Sequence, residues 1–346
     1  MHVSDDSPPP LPRRRRRPHA GFWIAIVLLA ILLGFSLLLN VGLAVGAAAR
    51  GRLGRRTADE EPEDERPFFV ERWSYGDGEA KAVRIGIQGV IERTVREGFF
   101  GLESDPAGEA VRQIRAARND DEVRVVIVEV DSPGGELAPT DEIHRALREF
   151  RESREDRRVV VFVRGLAASG GYYVAVAADR IVAEPTALVG SISVLLQTLN
   201  WHALSERIGV TDVTIRSGRH KDLLNPFRPV ADEERALLQR VVDDAHARFA
   251  RLVAEGRNLP PEAVAEMADG RLFTASDALE KRLTDRTGYW EDALAEAEEL
   301  AGTSLRVVRY EAARRWTDWF LRMEDPVRLS WPETKGGPRL LCLWKP

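Results

Sequence analysis

A serine lies among small residues directly after a predicted buried strand. Residues 159–163 read VVVFV and residues 165–173 read GLAASGGYY, with Ser169 in the middle. Glycine and alanine let other backbone come close to the hydroxyl, which is the setting that a serine nucleophile needs. Gly170 begins a predicted helix, where backbone N–H groups lack an intrahelical partner and can face an oxyanion. The same residues also suit close packing of a helix on a sheet, so the segment alone leaves both interpretations open.

A second glycine-rich turn follows an earlier predicted strand. Residues 132–135 read SPGG, after the β-branched run at 123–130. The turn can supply a second oxyanion donor, from Gly135, and an edge for a substrate backbone; it can equally be an ordinary turn. Two donors from two turns on one sheet edge would form a complete oxyanion hole.

A lysine further along the chain is the candidate base. Lys221 lies in SGRHKDLLNPF, residues 217–227. A lysine base must be neutral near pH 7, and burial or nearby positive charge lowers its pKa by disfavouring the ammonium form. The apolar residues after Lys221 permit burial, whereas Asp222 would oppose the shift if it faced the amine. Ser169 and Lys221 together indicate a serine hydrolase whose base is lysine.

A Ser-His-Asp triad is the alternative within the same class of enzyme. His144, His202 and His220 are available, and their spacing does not choose among them. The six histidines form no HExxH or paired spacing, and Cys342 is the single cysteine. We therefore predict no metal site, no cofactor and no disulfide within the chain.

Strands and helices alternate along the part of the chain that carries these residues. This alternation predicts an α/β fold with a mostly parallel sheet covered by helices. Both glycine-rich turns follow the carboxyl ends of strands, the side on which open α/β sheets bind ligands. The predicted strands are 82–90, 123–130, 159–163 and 180–183, and the predicted helices are 106–117, 137–150, 232–256, 260–267, 275–283 and 291–300.

The N-terminal part predicts a membrane anchor. No charged residue occurs from Ala20 to Ala49, which exceeds the roughly 20 residues that span a bilayer. Five arginines, Arg13 to Arg17, precede this run and favour a cytoplasmic N-terminus, which places the rest of the chain outside the cytoplasm. The alternative is a signal peptide cleaved near residues 47–49. The acidic, proline-containing segment TADEEPEDERP at 57–67 is typical of a solvated linker.

The overall charge bears on partners. The formal net charge is −5 and the pI is near 5.8. There is no basic excess that would release counterions from a phosphate backbone, so nucleic acid is excluded as the main partner.

At these residues the chain resembles the signal peptide peptidase A (protease IV) family. The matching pieces are DSPGG at 131–135, AASGGYY at 167–173, GSI at 190–192 and SGxxK at 217–221. Ser169 and Lys221 are 52 positions apart, the separation expected for the short form of the family. The resemblance covers roughly residues 82–301.

The resemblance implies a ClpP/crotonase-like fold and a Ser/Lys dyad. Ser169 is then the nucleophile, Lys221 the general base, and Ser191 the hydroxyl that orients the lysine amine, while Gly135 and Gly170 are the oxyanion donors. It further implies a ring-shaped homo-oligomer in which the lysine can come from a neighbouring protomer. The implied substrates are signal peptide remnants or other apolar peptides near the membrane.

The resulting domain prediction is a basic segment at 1–20, a transmembrane helix at 21–49, an acidic linker at 50–80, a peptidase domain at 81–302 and a tail at 303–346. The tail is rich in tryptophan and is predicted to pack on a partner surface or a membrane.

Two departures and two further alternatives accompany the resemblance. Arg219 stands where a smaller residue is expected, and EKRLTD at 280–285 replaces a glycine-leucine-valine-aspartate type ending. A non-proteolytic, peptide-binding scaffold of the same fold would bind without turnover. A crotonase-like acyl-CoA enzyme would also use two N–H donors for an oxyanion, but it has no need for the serine and lysine together.

Overall fold

The computed structural model describes residues 20–53, 67–93, 95–97, 102–312 and 340–344. The chain divides into two compact units, residues 1–61 and 62–346. The predicted basic segment at 1–20 lies almost wholly outside the described residues, as do the tail residues 313–339.

The described residues of the first unit form the helix α1, Ala20–Leu53. Large apolar side chains along it are exposed, including Leu32 and Leu38 at 64% and 72%. Counting only residues that the structure describes in full, no helix has the length and apolar character that a bilayer crossing requires.

The second unit is built on a nine-stranded sheet. Its main path runs β1-β13-β2-β5-β7-β8-β12. In addition, β9 pairs with the carboxyl-terminal end of β7, and β11 pairs with β9. The neighbours β13/β2, β2/β5, β5/β7 and β7/β8 are all parallel, which confirms the predicted α/β fold with a mostly parallel sheet. The strands are β1 Phe69–Tyr75, β2 Ala80–Gln88, β3 Val95–Glu97, β4 Leu102–Ser104, β5 Val123–Ser132, β6 Gly134–Glu136, β7 Arg158–Ala168, β8 Arg180–Ala183, β9 Leu188–Gly190, β10 Leu195–Leu196, β11 Leu272–Thr274, β12 Arg286–Thr287, β13 Leu305–Ala312 and β14 Leu340–Leu343.

Helices cover both faces of this sheet. Side chains alternate along a strand, so Val126 and Val128 enter the core formed with α2 and α3, whereas Val125 and Ile127 face α9. Burial of each such side chain contributes roughly 1.5–3 kcal/mol to the stability of the sheet. The helices are α2 Pro106–Asn119, α3 Leu137–Glu152, α4 Gly170–Ala175, α5 His202–Ile208, α6 Asp232–Arg257, α7 Pro261–Met267, α8 Ala275–Glu280 and α9 Trp290–Ala301.

Two predicted boundaries differ from the structure. The segment predicted as an acidic linker, 50–80, contains β1, which pairs antiparallel with β13. The segment predicted as a tail, 303–346, contains β13. This strand lies between β1 and β2 in the sheet, where its residues Val307 and Val308 are buried. The sequence of β13, LRVVRYEA, mixes polar with apolar residues, so a search for continuous apolar runs does not predict this strand.

Candidate active site

Ser169 lies at a strained junction between strand and helix. β7 ends at Ala168 and α4 begins at Gly170, so Ser169 turns the chain with φ 53° and ψ −112°. A non-glycine residue held in such a conformation costs about 1–3 kcal/mol, and strain of this kind persists where the surroundings enforce it. Here the Ser169 N–H donates to the Gly190 carbonyl at 2.8 Å, and the Tyr173 N–H donates to the Ser169 carbonyl at 2.9 Å. The side chain is 2% exposed.

The second glycine-rich turn lies beside Ser169 because β5 and β7 are parallel neighbours. Ser132 pairs with Ala167 at their carboxyl ends. The Ser132 hydroxyl donates to the Gly89 carbonyl at 2.6 Å and accepts from the Gly134 N–H at 3.0 Å, which holds the turn. Gly134 has φ +92°, and a Cβ there would lie 2.5 Å from the Gly170 nitrogen. The two predicted oxyanion donors, Gly135 and Gly170, therefore come from elements in direct contact.

One edge of β6 pairs with Ile91, and the other edge pairs with β14. The Ile91 N–H donates to the Gly134 carbonyl at 2.9 Å, and the Glu136 N–H donates to the Ile91 carbonyl at 2.8 Å. In a parallel bridge of this kind the N–H and C=O of the central residue, Gly135, point to the opposite side. The Gly135 N–H is thus directed to the edge that pairs with β14, at Cys342.

Ser191 lies near Ser169 because it directly follows β9, which pairs with β7. Ala168 pairs with Gly190, so the residue after each strand end is a serine. Ser191 has φ 51°, is 6% exposed, and its N–H donates to the Arg271 carbonyl at 2.8 Å. The Ser169 hydroxyl has a weak contact of 3.4 Å with the Ser193 carbonyl. A cavity of about 190 Å³ is lined by Ser169, Ser191, Ser193, Val194, Leu195, Gly270, Leu343 and Trp344.

The C-terminal strand β14 also lies at the site, and sequence reasoning missed it. Cys342 is fully buried, and its thiol is within hydrogen-bonding reach of Ser169. Burial raises the pKa of the Cys342 thiol to about 12. The thiol therefore stays protonated at neutral pH and is a poor rival to Ser169 as a nucleophile. The signal in the sequence is short, LLCL at 340–343, and its position depends on tertiary pairing alone.

Lys221 is placed differently from the other predicted site residues. It is exposed in a turn, and it is not among the described residues that line the cavity at Ser169. The burial that its apolar neighbours permit is not realised within this chain. Arg228 and Arg216 bind the Asp222 carboxylate and hold its pKa at about 2, while Arg219 is bound to Glu233.

The histidines of the alternative triad have other partners. His144 is buried edge-on against Tyr173, and burial lowers its pKa to about 4. His202 Nδ1 lies 3.0 Å from the Phe227 carbonyl, and His220 faces Glu233 at 3.8 Å. No histidine lines the cavity at Ser169 as far as the structure describes it. Within that same part of the chain, no three His, Cys, Asp or Glu side chains are grouped so as to hold a metal ion.

Comparison with known proteins bears on the family. The model of peptidase family S49 matches residues 151–304. The chain is 36% identical over 219 residues to a protein of Enterococcus faecium named putative signal peptide peptidase SppA, covering 63% of each chain. It is 38% identical over 215 residues to the putative protease slr0021 of Synechocystis, covering 62% of this chain and 73% of that one. It is 35% identical over 191 residues to Protease 4 of Salmonella typhi, covering 55% of this chain and 30% of the relative.

Among solved structures, a mutant of ClpP1 from Listeria monocytogenes matches with a TM-score of 0.40 and 14% identity, covering 61% of this chain and 93% of that one. The chain spans just under two thirds of the Enterococcus relative and less than one third of the Salmonella one. The match to the Synechocystis protein, together with the family model over the serine segment, shows that the chain belongs to peptidase family S49, the serine peptidase family that the sequence resemblance indicated.

Proposed function

We propose that this chain is a membrane-anchored serine endopeptidase that uses Ser169 as nucleophile and Lys221 as general base. The observation that carries the proposal is the strained, buried Ser169 beside a second glycine-rich turn, in which Gly134 lies in direct contact with Gly170. This combination has no evident value for packing alone, since a glycine at position 169 would remove the strain.

In the proposed reaction, the Ser169 hydroxyl attacks the carbonyl carbon of a peptide bond while Lys221 takes its proton. The Gly135 and Gly170 N–H groups hold the oxyanion, and Lys221 then gives the proton to the leaving amine. Water, activated again by Lys221, hydrolyses the acyl-enzyme. Ser191 orients the lysine amine.

Because Lys221 is exposed and does not line the cavity at Ser169, we propose that it acts on the serine of a neighbouring protomer in a homo-oligomeric ring. The surface near Lys221 supports this. Val213 and Ile215 are 83% and 96% exposed, and Trp201, Leu204 and Ile208 are exposed nearby along the chain. Large exposed apolar side chains concentrated in one segment of the chain support a protein–protein interface there.

The proposed anchor rests on the charge-free run from Ala20 to Ala49, all of which lies within α1. The large apolar side chains described between Trp23 and Val41 are exposed, and a helix satisfies its own backbone hydrogen bonds in lipid. The proposed topology has a cytoplasmic N-terminus and an extracytoplasmic catalytic unit. The substrates are then signal peptide remnants or other apolar peptides at the membrane.

The dyad is tested with the full chain in detergent and an apolar fluorogenic peptide. Ser169→Ala and Lys221→Ala are each expected to lower kcat/KM by at least about 10³-fold. Matched controls are Ser276→Ala and Lys281→Ala, which change the same residue types at exposed positions outside the site. Full activity in either site variant would contradict the dyad.

Coexpression of the two inactive variants tests whether the lysine acts on a neighbour. In a mixed ring, about a quarter of the interfaces combine the intact serine of one variant with the intact lysine of the other. Activity should return to about a quarter of the wild-type value. If mixed rings form and remain inactive, Lys221 acts within its own subunit.

A further inference from the structure

A carboxylate stands next to the candidate base in the chain. Residues 211–221 are all exposed, and the residue that follows Lys221 is Asp222, whose side chain is only 10% exposed. A carboxylate close to a lysine amine stabilises the ammonium form, because opposite charges attract. A lysine that has to take a proton from serine is therefore sensitive to where the Asp222 carboxylate points.

Two arginines bind the Asp222 carboxylate. Arg228 Nε donates to Asp222 Oδ2 at 3.0 Å, and Arg216 binds Oδ1. These hydrogen bonds lower the pKa of Asp222 to about 2, so the carboxylate is ionised near neutral pH. Within the part of the chain that the structure describes, no carboxylate forms an ion pair with the Lys221 amine. Arginine, and not the lysine, thus compensates the negative charge of Asp222.

Arg228 also joins the Lys221 turn to α6. Its Nη2 donates to the Asp222 carbonyl at 2.9 Å, and Nη1 and Nη2 donate to the two Glu234 carboxylate oxygens at 2.8 and 2.5 Å. Glu234 lies in the first turn of α6 and is buried. A guanidinium has five N–H donors in a planar fork, so it can bind two carboxylates and a carbonyl at once, whereas a lysine amine has three donors on a single atom.

The helix α6 is in turn fixed in the catalytic unit. Its residues Phe249 and Val253 are fully buried. Arg248 Nη2 donates to Asp141 Oδ1 at 2.6 Å, and the Tyr173 hydroxyl donates to the same oxygen. Tyr173 belongs to α4, the helix that starts directly after the nucleophile. The contacts of Arg228 therefore attach an exposed turn to an element whose position the core determines.

The other charged side chains of this segment have partners of their own. These contacts are Arg219 with Glu233, His220 with Glu233, Asp212 with Asn225, and His202 with Glu206. Asp222 differs from the carboxylates in these contacts because it directly follows Lys221 and because one arginine ties both its side chain and its carbonyl to α6.

We propose that Arg228 is a positioning residue for the general base: it fixes the Lys221 turn on α6 and keeps the Asp222 carboxylate from pairing with the lysine amine. The inference rests on the proposed Ser169/Lys221 function and adds a residue that acts through Lys221 without touching the substrate. The turn is then held in one geometry within a single chain, before a neighbouring protomer covers it.

Steady-state kinetics over a range of pH test this role, with the full chain in detergent and an apolar fluorogenic peptide. Arg228→Met should lower the plateau kcat about 10–100-fold with KM changed less than about twofold, because a small displacement of the base has an effect of this size. The acidic limb of the kcat/KM profile should move up by at least about 0.5 pH unit, because the released carboxylate stabilises the ammonium form. Arg228→Lys keeps the charge without the fork, so kcat should fall while the limb moves by less than about 0.2 pH unit.

A charge-balanced double variant separates positioning from a general loss of structure. Arg228→Met combined with Asp222→Asn removes both charges, so the acidic limb should return to within about 0.2 pH unit of the wild type while kcat stays low. The matched control is Arg286→Met, which removes an arginine that binds two carboxylates, Asp292 and Glu296, away from the site. This control should keep kcat within about twofold and leave the pH profile unchanged.

Wild-type kinetics in Arg228→Met, or an acidic limb that stays displaced in the double variant, would overturn the inference. Circular dichroism and gel filtration check the fold and the oligomeric state of each variant. If Arg228→Met does not fold, Arg228→Lys decides, since a wild-type kcat there contradicts the positioning role. Lys221→Ala is measured with the same peptide. Full activity in Lys221→Ala refutes the proposed function itself, whereas an inactive Lys221→Ala together with an unaltered Arg228→Met refutes the role of Arg228 alone.

Discussion

The surroundings of Ser169 and those of Lys221 differ in almost every physical respect. Ser169 is 2% exposed, lies at the ends of parallel strands and has its backbone held by hydrogen bonds on both sides. Lys221 lies in an exposed turn whose contacts are ion pairs among charged side chains. The fold of a single chain buries the surroundings of Ser169, whereas it leaves those of Lys221 exposed. Lys221 becomes buried only if another surface covers this turn.

Replacement of Lys221 by alanine should show this contrast most strongly. We expect a loss of at least about 10³-fold in kcat/KM, with a change of less than about 0.5 kcal/mol in the free energy of unfolding, because exposed side chains contribute little to stability. Urea denaturation and peptide hydrolysis measure the two quantities. A large destabilisation would mean that Lys221 is a structural residue.

Two glycine substitutions compare the regions directly. Gly134→Ala forces a Cβ against the Gly170 nitrogen at φ +92° and should destabilise the protein by about 2–4 kcal/mol. Gly218→Ala, three residues before Lys221, meets nothing within 4 Å and should change stability by less than about 0.5 kcal/mol. Thermal denaturation of the two variants measures both effects. Equal effects would remove the distinction between a packed site and an open turn.

Acid should affect the region near Ser169 through His144. The pKa of this histidine is about 4 in the folded protein against 6.5 for an ordinary histidine, because burial disfavours the imidazolium. The unfolded chain therefore binds more protons between pH 6.5 and about 4. Stability is complete above pH 6.5 and falls by up to about 3 kcal/mol as the pH decreases through that window.

Urea denaturation at pH 7 and pH 5 measures this loss, and His144→Leu should reduce the difference between the two pH values. The Asp141 carboxylate partly opposes this shift. Hydrogen bonds from Tyr173 and Arg248 outweigh burial and lower the pKa of Asp141 itself, so its protonation belongs to a lower pH range. An unchanged pH dependence in His144→Leu would assign the loss to other groups.

The smallest expected effect is a gain in stability. Ser169→Gly removes the side chain that makes φ 53° and ψ −112° unfavourable, so the free energy of unfolding should rise by about 1 kcal/mol while activity is lost. Ser276→Gly, in an exposed helix, should instead lower stability by up to about 1 kcal/mol. A loss in both variants would show that Ser169 is not strained.

Much of the fold could be predicted from local sequence. The strand over 123–132 and the helix over 137–152 were predicted within about two residues, because long β-branched runs and helical spacing have one dominant structural solution. β1 and β13 were missed, since β1 pairs with β13 and β13 pairs with β2, and β13 lies more than 200 residues from both in the sequence. The corrected peptidase unit therefore includes parts of the predicted linker and tail.

The same division applies to the candidate site. Glycine-rich turns after strands predict Gly135, Ser169 and Gly170 by local rules, and the parallel pairing of β5 with β7 then brings them together. The role of Ser191 was implied by the resemblance, and the pairing of β9 with β7 places it nearby. Neither the local rules nor the resemblance predicts β14. Its four residues show no periodicity, and they have no preferred pairing partner until the fold forms a groove between two open strand edges.

The sequence by itself determined the strand and helix alternation, the family and the identity of the candidate nucleophile, because these depend on residues close together in the chain. Tertiary structure decided the geometry of Ser169, the separation of Lys221 from the serine cavity, and the residence of Cys342 beside the predicted oxyanion donors. Each of these is a relation between segments tens to hundreds of residues apart. Such relations follow from which strand edges remain open once the sheet has formed.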